Sequence, residues 1–128
     1  MTLLDKVKTY KELLSGSAYN LFDGVMVCSV AGVTYDGRQK NLERVAEGTP
    51  LKLVRDRRNK HDFHAVEVHA LVEGDWKSVG FLPAKVNKDV ALAMDSGIKM
   101  GVKVWRKTGG GEDGYYHGLS VTVKRVGD

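Results

Sequence analysis

Cysteine is nearly absent from this chain of 128 residues, with Cys28 alone. One thiol excludes an internal disulfide, and it excludes the zinc sites that need at least two thiolates close in sequence. Cys28 lies in an apolar run, where a thiol reads as buried and structural. No apolar stretch approaches the ~20 residues that a membrane-spanning helix needs. The opening segment MTLLDKVKTYKELL carries too much charge for the apolar heart of a secretory signal, so the chain reads as soluble and cytoplasmic. Catalytic patterns are missing as well: there is no Ser/His/Asp order and no paired-carboxylate motif. The glycine-rich TGGGEDG at 108–114 has no helix start and no Lys-Ser/Thr pair behind it, which separates a hairpin tip from a phosphate loop. The sequence points away from an enzyme and away from any cofactor.

What the chain has is the composition of one globular domain, 42% hydrophobic and 28% charged, with no linker, repeat or low-complexity segment. Its net charge is +4, and the basic residues are bunched. Lys52, Arg55, Arg57, Arg58 and Lys60 face one acid, Asp56; Lys99, Lys103, Arg106 and Lys107 face none. Clustering of this kind favours an anionic partner, although a solvated face gives the same pattern.

Leu3, Leu4, Val7, Tyr10, Leu13 and Leu14 recur at helical spacing, predicting an amphipathic helix over 1–16 that packs on the domain or on a partner subunit. Residues 17–128 form the main domain. Strands are predicted at Val25–Val33, Pro50–Arg55, Ala65–Val72, Trp76–Leu82, Lys99–Lys107 and Tyr115–Val126. Arg38–Gly48 reads as a polar loop, with a helical turn as an alternative within it. Pro83 opens a second helix that Ser96-Gly97 ends. About six short strands with interspersed helices predict a mainly β domain with some α: a small OB-like or modified β-barrel, closed or nearly so. Phe63, Phe81, Trp76 and Trp105 are assigned mainly to its core or rim, with Phe81 also placed to border a site.

The run Arg55–Val68 is the least ordinary part of the chain. A strand passes into a cation-dense loop and re-enters a strand at Ala65. Asn59 and Asp62 are placed to fold their side chains onto nearby backbone N–H groups and stiffen that loop. His61, His64 and His69 raise a metal site with Asp62, but on a strand His64 and His69 point to opposite faces, leaving too few ligands.

Arg55, Asp56, Asn59, Asp62, Ala65 and Val66, followed by Val79-Gly80, Leu82 and the helix after Pro83, resemble the HIRAN domain family in residue type and spacing. Ala31–Tyr35 resembles the family's Gly-hydrophobic-x-Tyr strand end, and the likeness runs from about Val27 to Gly97. The resemblance implies a barrel that captures the 3′-hydroxyl end of single-stranded DNA. It implies that Asp62 bonds the terminal hydroxyl and that Tyr35 and His61 contact bases. Arg55, Arg57, Arg58, Lys60 and Lys85 would hold phosphates. Arg57 and Lys60 stand where many relatives have proline, His61 where a tyrosine can stack, His64 for the usual asparagine, and Thr34 for an arginine in one subset. The rival readings are a protein-interaction or homo-oligomerisation module using the N-terminal helix and, with least support, a metal-dependent nuclease or phosphoesterase.

Overall fold

The computed structural model describes residues 26–110 and 116–126. The expected N-terminal helix therefore lies outside the described residues, as does most of the 108–114 hairpin tip. Six strands and two helices follow in order: β1 (Met26–Ser29), α1 (Arg38–Glu43), β2 (Leu51–Asp56), β3 (Ala65–Val72), β4 (Asp75–Phe81), α2 (Ala84–Asp95), β5 (Met100–Thr108) and β6 (Gly118–Arg125).

The strands form two antiparallel sheets of three, β1-β6-β5 and β2-β3-β4. In β3 and β6 the alternation expected of a half-buried strand holds. Val66, Val68, Ala70 and Val72 point into the core, as do Leu119, Val121 and Val123 from the other sheet. Glu73 and Gly74, both at positive φ, make the two-residue turn that joins β3 to β4.

The mainly β reading stands, but the closed barrel does not. Closure requires a continuous, staggered ladder around the whole sheet. Among the described residues β2 lies against β5 with no ladder between them, and the sheets are joined through one bridge, Ala31 to Phe81. The strand expected over Val25–Val33 is short for the same reason. Val30 still donates to the Leu119 carbonyl of one sheet, whereas Ala31 exchanges both backbone bonds with Phe81 of the other, at 2.7 and 2.9 Å. Gly80 permits this crossing. Its φ is +142°, and a Cβ there would overlap the Ala31 carbonyl oxygen and the Val30 side chain.

Two helices close the core. The segment expected to be a loop forms α1, whose Leu42 is fully buried. Six residues are too few to show a helical period, so tertiary anchors hold it. Asn41 donates to the Ser78 carbonyl, and the Gln39 side chain bonds both the N–H and the C=O of His117. Pro83 is the N-cap of α2, one residue outside the first-turn position expected for it. Gly97, at φ +83°, ends that helix, with Ile98 N–H on the Ala93 carbonyl and Gly97 N–H on that of Met94. Phe63, Trp76 and Trp105, expected in the core or at its rim, stand on the surface instead, 63%, 40% and 52% exposed.

Candidate nucleic-acid interface

Where the sheets meet at Ala31 and Phe81, the surface opens into a cleft of about 830 Å³. Three segments build it: the turn after Gly32, the loop between β2 and β3, and the first turns of α2.

The loop owes its shape to its own side chains. Asn59 Oδ1 accepts the N–H groups of His61 at 2.9 Å and Asp62 at 3.0 Å, while its Nδ2 donates to Asp56 Oδ2. Asp62 Oδ1 accepts the His64 N–H at 2.8 Å, and the Asp62 carbonyl accepts that of Ala65. These are the backbone-directed contacts expected of Asn and Asp, and they fix the loop without proline. Asn87 on α2 ties the loop to the core: its Nδ2 donates to Asp62 Oδ2 at 3.0 Å and its Oδ1 accepts the Val66 N–H. The carboxylate is thus oriented from two sides and still faces the cleft.

Tyr35, which also lines the cleft, is 68% exposed. Arg38 lines it too, as a buried cation. It donates to Ser78 Oγ and the Gly32 carbonyl, lies 3.5 and 3.8 Å from Asp36 and Glu67, and stacks on the Phe81 ring at 5.1 Å. Ser78 Oγ donates to Glu67, whose other oxygen meets His69 Nε2 at 2.9 Å. His64 precedes β3 and is not on its ladder. Among the described residues no group of three His, Cys, Asp or Glu is arranged to hold a metal.

Of the nine residues the sequence singles out, the cleft gathers Tyr35, His61, Asp62 and Phe81. Arg55, Arg57 and Arg58 line a separate shallow hollow that meets the cleft at Asp56. Lys85 lines another groove, and Lys60 is exposed on the loop. Arg55 is committed within the fold. Its side chain is 9% exposed and bonds both Asp95 oxygens and the carbonyls of Phe63 and Ala65. Arg57 reaches Asp95 at 2.7 Å. The hydrogen bond from Arg55, reinforced by Arg57 against the opposing effect of burial, holds the Asp95 carboxyl below the usual carboxylate range.

Sequence reasoning passed over Arg38 and Asn87. Arg38 offered no signal, because its helix is too short to show a period. Asn87 did offer one: it is a polar residue at helical spacing from Val90, Ala91 and Met94, on the face that α2 buries. The cleft wall also carries four carboxylates, Asp36, Asp56, Asp62 and Glu67. Cys28 is buried, as expected, and burial raises its thiol pKa while nearby Lys85 opposes the rise.

The HIRAN domain model matches residues 23–124. The chain belongs to the HIRAN domain family. Two solved structures share its fold. The HIRAN domain of human HLTF is 22% identical, with a TM-score of 0.55, over 78% of this chain and 74% of that one. A protein from Lactobacillus plantarum is 19% identical, with a TM-score of 0.54, over 79% of this chain and 99% of that one. No curated protein sequence matches the chain. HIRAN domains are DNA-binding modules, which supports a nucleic-acid-binding role for this one and agrees with a non-enzyme. No helix among the described residues is long and apolar enough to cross a membrane.

Proposed function

We propose that this HIRAN domain captures a single-stranded DNA end that carries a free 3′-hydroxyl, with the terminal nucleoside in the Asp62 cleft. The observation that carries the reading is the meeting of Tyr35, His61, Asp62 and Phe81 on one cleft whose wall is rich in carboxylate. Four acids with one buried, already paired arginine repel a phosphate. They accept hydrogen bonds from a hydroxyl or from the amino groups of a base. Each Asp62 oxygen has one protein donor and retains a lone pair for a ligand. Tyr35 supplies a face on which any base can stack.

The phosphates then lie outside the cleft, against Arg58, Lys60 and Lys85, none of which has an ion pair among the described residues. Arg55 acts as a positioning residue. By bonding the Phe63 and Ala65 carbonyls it sets the loop that presents Asp62.

Fluorescence anisotropy with matched oligonucleotides ending in 3′-hydroxyl or 3′-phosphate tests the reading. The hydroxyl end is expected to bind at least about tenfold more tightly, since 1.4 kcal/mol is one charge-assisted hydrogen bond gained. Asp62→Asn, which keeps the shape and removes the charge, is expected to erase most of that difference. Equal affinity for the two ends would refute end capture.

A further inference from the structure

A second hollow, of about 750 Å³, opens on the other side of Ala31, which lines both. All four residues of β1 line it, together with Lys85, Val86, Trp105 and Arg106. The geometry points to this groove as a second nucleic-acid subsite, taking the sugar-phosphate chain and one base of the strand that leaves the cleft. This rests on the reading of the cleft as the seat of the strand's end.

Three observations favour a nucleic-acid strand. The first is charge: among the described residues the groove lining contains Lys85 and Arg106 and no carboxylate, and neither cation has an ion pair there. A phosphate that the cleft rejects meets only positive charge here. The second is Trp105. The β5–β6 register shifts between Val104 and Arg106, which leaves Trp105 as an extra residue without a cross-strand partner. A bulge of this kind re-aims a side chain, and this indole is left 52% exposed. The Arg106 guanidinium lies 5.0 Å from the ring centre, so the indole is presented already held on one side. Ring and cation side by side match what a single strand presents, a base beside a phosphate. The third is continuity. Ala31, whose backbone is fixed by its bridge to Phe81, lines both hollows, so the two lie next to each other on the surface.

The test compares a dinucleotide with an oligonucleotide of about eight residues, a length within the span of barrel-type single-strand sites. Both carry 3′-hydroxyl ends and are titrated into the full chain at one low salt concentration. Trp105→Ala is expected to weaken the longer ligand about 5- to 100-fold and to leave the dinucleotide unchanged. Trp105→Phe should recover most of the loss, because a phenyl ring also stacks. In a Trp76→Phe background, where Trp105 is the sole indole, the longer ligand should change its emission and the dinucleotide should not. Wild-type affinity for the longer ligand in Trp105→Ala, with unmoved Trp105 emission in the single-indole protein, would overturn the groove while leaving the cleft intact. Loss of end preference in Asp62→Asn together with length-dependent loss in Trp105→Ala supports both subsites. A wild-type chain that binds neither ligand overturns both readings.

Discussion

Two hollows share Ala31 and differ in almost everything else. The cleft on the β4 side is lined by Asp36, Asp56, Asp62 and Glu67, with its arginine buried and paired. The groove on the β1 side has Lys85 and Arg106, an exposed indole, and no acid among its described residues. A net charge of +4 suggests an anion site at the most basic loop. Yet the two arginines that open that loop are spent on Asp95, and its tip turns toward a wall of carboxylates. The difference teaches that a cation count says little about where phosphate sits. Pairing within the fold decides which charges remain available.

The most forceful way to break the comparison is to break the junction. Gly80→Ala places a Cβ on the Ala31 carbonyl at a φ of +142°. We expect a loss of about 3 kcal/mol or more, read as the shift in a chemical-denaturation midpoint, because backbone must move to relieve the overlap. Both hollows should suffer together. A stable protein with unchanged binding would mean that the bridge does not hold them in place.

Asn87→Ala attacks the cleft alone. It leaves the buried Val66 N–H without its acceptor and Asp62 Oδ2 without its donor. The expected cost is about 1–3 kcal/mol of stability. Discrimination between hydroxyl and phosphate ends should fall with it, while length-dependent binding through the groove persists.

Asp95 offers a pH-dependent version. Its carboxyl titrates lower in the folded chain than when unfolded, because Arg55 and then Arg57 bond it. The stability this lends is therefore fully present above the unfolded carboxylate range, near pH 4, and disappears as pH falls through the lower folded value. Asp95 is 30% exposed, so solvent screening keeps the contribution modest. Asp95→Asn should lie closer to wild type in acid than at pH 7, which paired denaturation curves at the two pH values would check. A constant gap would mean that the ion pairs contribute nothing.

The smallest expected effects lie in the groove. Lys85→Ala and Arg106→Ala should each leave stability within about 0.5 kcal/mol of wild type. Each should lower the slope of log affinity against log salt by about 0.7 for the longer oligonucleotide, one phosphate contact on a single strand. An unchanged slope would place the phosphates elsewhere.

Local rules carried much of this molecule. Alternating valines marked β3, the glycine ends of both β3 and α2 were visible, and Asn59 and Asp62 were legible as residues that bind their own loop backbone. Those features depend on neighbours a few positions apart, and their periods and turn chemistry are written in the chain. The family resemblance, too, rested on spacing within one continuous stretch. By contrast, the α1 segment was read as a loop that could hold one helical turn, since the helix is held by Ser78 and His117, 37 and 78 residues away. Trp105 was assigned to the core or rim because a strand's burial pattern cannot show that a bulge will turn one residue outward.

The sequence alone thus determined a mainly β HIRAN fold with an Asn- and Asp-stiffened loop, because spacing and local hydrogen bonding suffice for that. Tertiary structure decided the rest: two sheets rather than a barrel, Arg55 and Arg57 committed to Asp95, and an acidic cleft beside a basic groove. Each of those outcomes depends on which distant side chains meet, and a charge takes its meaning only from the partner across the fold.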